Sequence, residues 1–245
     1  MDGILIEIVI ITLLSIFQSI FGVGLLLYGT PIFLILGNDF LYSLSILLPV
    51  SMVISLFQLS YDNSIFKIKF IKLFSFITLP FLIITLLLLI KFYENIDIKL
   101  LISIVIIFFS LNNLIFNKVM SKFFLNIKNQ YIIFSSIGII HGLTNLGGSL
   151  LAITSSQINS EKKNVRLCIA YGYLAMGLIQ LILIYFFSDI NFYINKLLYI
   201  LIPILIFKAS QKFYINLTDL RFGKVLNIVT LIFGIYLFIS INLSI

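Results

Sequence analysis

Two glycine-centred segments carry polar side chains inside long apolar runs. The first is residues 21–24 (FGVG), preceded by Gln18, and the second is residues 144–149 (TNLGGS), preceded by His141. Glycine allows one helix to end and another to begin. A helix that begins inside a membrane presents unpaired backbone N–H groups and the positive end of its dipole, which together attract an anion. The candidate anion-binding residues are Gln18, Gly22, Gly24, His141, Thr144, Asn145, Gly147, Gly148 and Ser149.

Each of these features has a structural alternative. Small residues allow membrane helices to pack closely, which is our interpretation of the Gly138-x-x-x-Gly142 pair. His141 suits either a packing role or a role as anion donor or proton carrier, since an unperturbed histidine has a pKa of about 6.5. Gln58 and Gln180 suit either a cavity lining or hydrogen bonds between helices. An intramembrane serine hydrolase, which we do not expect, would need Ser149 and His141 within hydrogen-bond reach.

The composition defines the environment of these segments. The chain has 245 residues, of which 61% are hydrophobic and 10% charged, whereas soluble domains carry about 25% charged residues. This excludes a soluble globular protein and a disordered chain, and allows roughly seven to ten crossings of a bilayer. We attribute the net charge of +7 to basic residues retained on the cytoplasmic side of the membrane, and not to nucleic-acid binding. One cysteine and one histidine provide no disulfide and no Cys/His metal cluster. We therefore expect neither a metal nor another cofactor.

Apolar runs divide the chain into spans. They cover residues 4–37, 40–60, 73–90, 100–116, 131–158, 167–187, 197–207 and 225–243. The first would form a helix of about 50 Å, well beyond a hydrocarbon core of about 30 Å. We predict that runs 4–37 and 131–158 are hairpins of two shorter helices, each broken at its glycines. The first repeat is then residues 1–117, the cytoplasmic linker 118–130 and the second repeat 131–245.

Charge placement supports this division. Four loops hold thirteen of the sixteen basic residues, and all four share one face only if both hairpins return to their own side. The positive-inside rule then places these loops in the cytoplasm and both termini outside. Asp62 and Asp189, at span ends beside basic residues, are expected to be solvated caps. A returning hairpin followed by three crossings makes an odd number of crossings in each repeat. A second copy is therefore inserted in the opposite orientation. Gln18 and Gly24 align with His141 and Gly147 at an offset of 123.

The two segments resemble the signature of a known family. Residues 21–24, followed by Pro31 and Gly37, and residues 141–148 as a second copy, are similar to the glycine-rich signature of the TauE/SafE sulfite-exporter permeases. The resemblance covers nearly the whole chain as two tandem halves. It implies transport of a small anion such as sulfite, an organosulfonate or a carboxylate. Leu25 and Leu26 depart from the family's further glycines, and Asn145 departs from its usual phenylalanine-glycine.

The sequence thus predicts an all-α polytopic transporter of the cell inner membrane, with two inverted repeats around a central anion site. Its expected partners are a small anionic substrate and the lipid bilayer, with no nucleic acid. The coupling ion (proton or sodium), a homo-oligomeric state and the direction of transport stay open. The competing hypothesis is a membrane-embedded accessory or assembly subunit whose glycine breaks only pack helices.

Overall fold

The protein is built from helices in every range that can be described. The computed structural model describes residues 2–62, 68–102, 104–105, 127–188, 194–222, 224–225 and 228, and no strand occurs among them. The elements are α1 (Asp2–Phe21), α2 (Leu25–Ile35), α3 (Phe40–Tyr61), α4 (Ile68–Lys91), α5 (Ile127–Thr144), α6 (Gly148–Ile158), α7 (Lys162–Phe187) and α8 (Lys196–Asn216). In this part of the chain, α1, α3, α4, α7 and α8 are long and apolar enough to cross a bilayer. The all-helical, membrane-type fold class agrees with the sequence.

The two long apolar runs each break where their glycines predict. α1 ends at Phe21 and α2 begins at Leu25, while α5 ends at Thr144 and α6 begins at Gly148. Gly22 (φ +84°) and Asn145 (φ +63°) both adopt the left-handed conformation. Each donates its N–H to the carbonyl four residues earlier, at 2.7 and 2.9 Å. A left-handed residue after the last helical turn is a common way to end a helix, and asparagine tolerates it better than most residues.

Two wide turns accommodate prolines. Residues Leu25–Gly29 and Phe74–Thr78 are π-helical, and each turn ends two residues before Pro31 or Pro80. A proline ring clashes with the carbonyl four residues earlier and removes one helical hydrogen bond. Widening the preceding turn accommodates both effects, so α2 and α4 continue past their prolines.

Neighbouring helices pack closely at glycines. Met52 of α3 lies against Gly177 of α7, and Asp62 lies against Arg166, so α3 and α7 run antiparallel. α5 packs on α4 through Gly138 and Gly142: a Cβ atom on Gly138 would lie 2.3 Å from the Thr78 carbonyl oxygen. This confirms the interpretation of that glycine pair as a packing motif.

Asp62 and Arg166 form a buried ion pair, which corrects the expectation of a solvated cap at Asp62. Their side chains are 2% and 0% exposed, and two hydrogen bonds of 2.6 Å join them. The Arg166 guanidinium also donates to the Ser19 carbonyl and to Gln211, and it lies over the Tyr214 ring. The guanidinium thus has an ion pair, further hydrogen bonds and an aromatic ring beneath it, and together these compensate the cost of burying its charge. Asp189 lies outside the described residues.

Two predicted helix boundaries move because charged residues enter the helices. α7 begins at Lys162 instead of 167, since Arg166 belongs to its buried face. α8 continues to Asn216 instead of ending at 207. Within its extension, Lys208 and Lys212 are exposed, whereas Ser210, Gln211 and Tyr214 are buried. This is the spacing of an amphipathic helix. The predicted helix 100–116 beyond residue 105, the linker up to residue 126, and nearly all of helix 225–243 lie outside the described residues.

A second group of polar contacts lies at the opposite end of the bundle, which we call the Asp39 end. Glu7 of α1 pairs with Lys196 and accepts a hydrogen bond of 2.5 Å from Tyr199. Asp39 lines one cavity together with Lys91, Glu94 and Ser188, so the start of α3 and the ends of α4 and α7 meet there. The Arg166 ion pair therefore marks the other end, the Asp62 end. Ion pairs join first-half to second-half residues at both ends.

Removing the Asp62 charge leaves Arg166 buried without a counter-ion. We expect Asp62→Asn to lower the free energy of unfolding by about 3–5 kcal/mol, whereas replacing the pair by leucine and methionine restores most of the loss. Thermal unfolding of the detergent-purified protein measures both effects. Asp219→Asn is the matched control, because Asp219 is exposed and accepts from the Lys162 backbone N–H. Equal losses in the two Asp→Asn variants would contradict the prediction.

Tyr93 provides a pH-dependent link at the Asp39 end, outside the spans. Its hydroxyl donates to Asp39 at 2.5 Å, and partial burial together with this bond raises the pKa of Tyr93 above its ordinary range. A raised pKa means that the contribution to stability is complete below about pH 10 and is lost as the pH rises through the folded-state pKa. We expect Tyr93→Phe to lower the unfolding midpoint near pH 8, with the difference shrinking above pH 10. A constant difference across this range would refute the linkage.

Candidate functional site

Gln18 closes the first break from within the protein. Its side-chain nitrogen donates to the hydroxyl and the carbonyl of Ser51, at 2.8 and 3.1 Å. Its side-chain oxygen accepts the N–H of Leu25 at 3.1 Å, and so caps the first residue of α2. Gln58 donates to the Gln18 carbonyl at 2.6 Å. Gln18, predicted to bind substrate, therefore serves in this conformation as the cap of a helix start and as a bridge to α3.

The glycines of the first break allow the chain to turn back along α1. A Cβ atom on Gly24 would lie 2.9 Å from the Leu14 carbonyl oxygen and 3.0 Å from the Gln18 nitrogen. Gly22 faces α7, where a Cβ atom would lie 3.2 Å from Ile169. Both positions need the absence of a side chain, Gly22 also for its positive φ.

The second break repeats this geometry. A Cβ atom on Gly147 would lie 2.6 Å from the Ile137 carbonyl oxygen and 3.0 Å from the His141 nitrogen. These neighbours stand ten and six positions before the glycine, as Leu14 and Gln18 do before Gly24. The left-handed residues Gly22 and Asn145 are also 123 positions apart. Four structural positions thus correspond at one offset.

The hydroxyl and amide donors predicted for an anion contact the protein itself. Asn145 donates to the Thr30 hydroxyl of α2 at 2.8 Å, which joins the second break to the first hairpin. Thr144 donates to the Ile140 carbonyl at 2.7 Å, and Ser149 to the Leu146 carbonyl at 2.9 Å. Gly148 begins α6 directly beside them. All residues from 21 to 31 and from 144 to 152 are buried, so the site is closed to both faces in this conformation.

His141 is fully buried beside the second break. One ring nitrogen, Nε2, lies 3.1 Å from the Gln180 side-chain oxygen, while Nδ1 has no hydrogen-bond partner among the described residues. Because an amide oxygen only accepts, this arrangement places the proton on Nε2, given the assigned amide orientation. His141 and Ser149 are not hydrogen-bonded to each other, so the arrangement lacks the contact that the hydrolase hypothesis requires.

Tyr173 of α7 is a site residue that sequence reasoning missed. Its hydroxyl lies only 1.7 Å from the position that a Cβ atom on Gly148 would take, so it contacts the first residue of α6. The Tyr173 ring also packs edge-on against His141, with 6.1 Å between centroids. A phenolic hydroxyl in the middle of an apolar span, next to Gly172, was the available signal. Thr30 was missed as well, since nothing local distinguishes it from a helix-capping threonine.

Comparison with known proteins does not identify the function of this site. No family model, curated protein or solved structure matches the chain. The TauE/SafE resemblance therefore stays an inference from the residues around the two breaks, and the binding role of the nine predicted residues stays a prediction.

The close approach at Gly147 generates a stability prediction. Gly147→Ala places a methyl group against backbone atoms that cannot move aside, so we expect a loss of about 1–3 kcal/mol, the usual cost of overpacking. Gly3→Ala is the control, because a Cβ atom on Gly3 meets nothing within 4 Å. Thermal unfolding of the two variants in the same detergent tests the difference. If Gly147→Ala unfolds at the wild-type temperature, the second break is looser than described.

Proposed function

We propose that the chain is a membrane permease that moves a small anion by alternating access around the two helix breaks. Sulfite, an organosulfonate or a related oxyanion is the substrate class that fits the site and the TauE/SafE resemblance. The observation that carries the proposal is the pair of breaks with one geometry, at Gly24 and Gly147, enclosed at the centre of the bundle. Broken helices of this kind form the substrate sites of inverted-repeat transporters.

Helix directions support an inverted repeat. Glu7 contacts Tyr42 and Gln18 contacts Ser51, so α1 runs parallel to α3. Phe74 packs against both Phe134 and Tyr171, and His141 contacts Gln180, so α5 runs parallel to α7. Because α3 and α7 are antiparallel, α1 and α5 enter the bundle from opposite ends. In the described parts of the repeats 1–117 and 131–245, these directions support a two-fold axis in the membrane plane.

Charge distribution supports an orientation. Lys91 and Lys196 lie at the Asp39 end, while Lys69, Lys72, Lys162 and Lys163 lie at the start of helices that begin at the Asp62 end. By the positive-inside rule, this excess of basic residues supports an orientation in the cell inner membrane with the Asp62 end in the cytoplasm and the N-terminus outside. Ion pairs between the halves at both ends fit a rocking motion in which one end opens while the other stays closed.

A membrane-embedded accessory subunit is the second candidate. It is favoured by two observations: the Leu25 N–H and the side-chain donors of Asn145 and Ser149 are engaged within the protein, and the glycines of the breaks are in tight contact with neighbouring atoms. A subunit that only packs helices needs these contacts and no ligand.

Ligand-dependent stability and flux separate the two candidates. We expect one class of oxyanion, from a panel of sulfite, sulfate, thiosulfate, sulfoacetate, taurine, acetate and chloride at equal ionic strength, to raise the unfolding midpoint. A ligand at about 100 times its Kd stabilises by about 2.7 kcal/mol. The same anion should enter proteoliposomes that contain the protein, and Ser149→Ala should weaken its binding, whereas the exposed Ser156→Ala, also on α6, should not. A flat panel and absent flux from folded protein would favour the accessory subunit.

A further inference from the structure

Four polar atoms without hydrogen-bond partners in the described chain lie on residues grouped at the second break. They are Nδ1 of His141, Oδ1 of Asn145, the hydroxyl of Tyr173 and Nε2 of Gln180. All four residues are 0% exposed. Contacts link them, because Gln180 bonds His141, His141 packs on Tyr173, and Asn145 follows the helix that carries His141. A buried polar atom without a partner is costly, more so where no bulk water reaches it.

The Tyr173 hydroxyl is directed at the start of α6. Its contact with Gly148 places an O–H donor beside the N-terminal turn of an eleven-residue helix. An N-terminal turn and a hydroxyl both stabilise negative charge. At the first break, by contrast, the first N–H of α2 already bonds Gln18. Unpartnered polar atoms also occur near the first break, on Ser15, Ser19 and Gln58, so the second break differs in having an unpartnered hydroxyl in contact with the start of a helix.

The buried positive charge of Arg166 is neutralised by Asp62 and is not available at the second break. Of the residues described, Arg166 is the buried cation, and its guanidinium makes four hydrogen bonds, two to its counter-ion Asp62 and one each to Gln211 and Ser19. The second break therefore offers neutral donors, from Tyr173 and Gln180, and acceptors, from Asn145 and from His141 in the tautomer described above. A ligand that satisfies such a mixture has acceptor oxygens and also an O–H or N–H group of its own.

We infer that the second break binds a singly charged oxyanion that carries a hydroxyl group or another uncharged O–H or N–H donor, with Tyr173 donating to its charged end. This inference rests on the proposed anion permease and specifies its substrate. The cost of removing an ion from water grows with the square of its charge, so neutral donors compensate a single charge far better than two. Asn145 Oδ1 and His141 Nδ1 accept from the ligand's O–H or N–H group. A doubly charged anion without a donor would leave both acceptors unsatisfied.

Three sulfonates of similar size test the substrate class. Isethionate is a monoanion with a hydroxyl group, ethanesulfonate a monoanion without one, and sulfoacetate a dianion near pH 7. We expect isethionate to bind the detergent-purified full chain at least about tenfold more tightly than the other two, as measured by thermal unfolding titrations at equal ionic strength. Equal or tighter binding of ethanesulfonate or sulfoacetate overturns the inference but leaves an anion permease. No response to any sulfonate or to the wider anion panel overturns both.

Paired tyrosine variants test the role of Tyr173. Tyr173→Phe removes only the hydroxyl, and we expect isethionate to bind about tenfold more weakly. Tyr171→Phe makes the same change two residues away, where the hydroxyl bonds Ser75, and should leave affinity unchanged. Without ligand, Tyr173→Phe should unfold at or above the wild-type midpoint, because an unpartnered buried hydroxyl is lost. A lower midpoint without ligand, or equal affinity losses in both variants, assigns Tyr173 a structural role and overturns this part of the inference.

Discussion

A backbone that stops being helical inside a hydrocarbon layer must find partners for its N–H and C=O groups within the protein, and this chain meets that constraint twice. The side-chain oxygen of Gln18 accepts the first N–H of α2. The left-handed residues Gly22 and Asn145 donate their N–H groups to carbonyls in the last turns of α1 and α5. The surrounding helices then enclose both breaks. The close glycine contacts and the packing of α3 on α7 follow from the need to keep lipid away from these segments.

The Asp62–Arg166 ion pair sets the electrostatics of the enclosed region. Because the Asp62 carboxylate neutralises the Arg166 guanidinium, the pair contributes little net positive charge to the interior of the bundle. Any negative charge bound near α6 is then stabilised by dipoles and neutral donors alone. A site of this type is weak for highly charged ions and sensitive to the placement of single hydroxyl groups. The buried cation and the polar cluster at the second break are therefore two parts of one charge arrangement.

Sequence patterns predicted the helical class, both breaks and most helix positions, because glycine, periodicity and apolar length act locally. They also aligned Gln18 with His141 and Gly24 with Gly147, and these positions have matching backbone neighbours. The Asp62–Arg166 pair escaped prediction, since each residue alone looks like a charged span end and only tertiary packing joins positions 104 residues apart. Tyr173 was missed for the same reason: a tyrosine in a span is amphipathic, and its partners lie on other helices. Sequence gave no sign that Gln18 would cap α2.

The order in which the chain is synthesised gives the ion pair a consequence for assembly. Asp62 follows the last residue of α3, and Arg166 emerges 104 residues later. A carboxylate at the end of a span keeps its hydration, whereas the same group within the bilayer core is expensive. We therefore expect Asp62 to stay hydrated at the membrane surface until α7 inserts, and both charges to become buried together. Closure of the bundle at this end then depends on α7, so the helices of the first half complete their packing only after the second half has been synthesised.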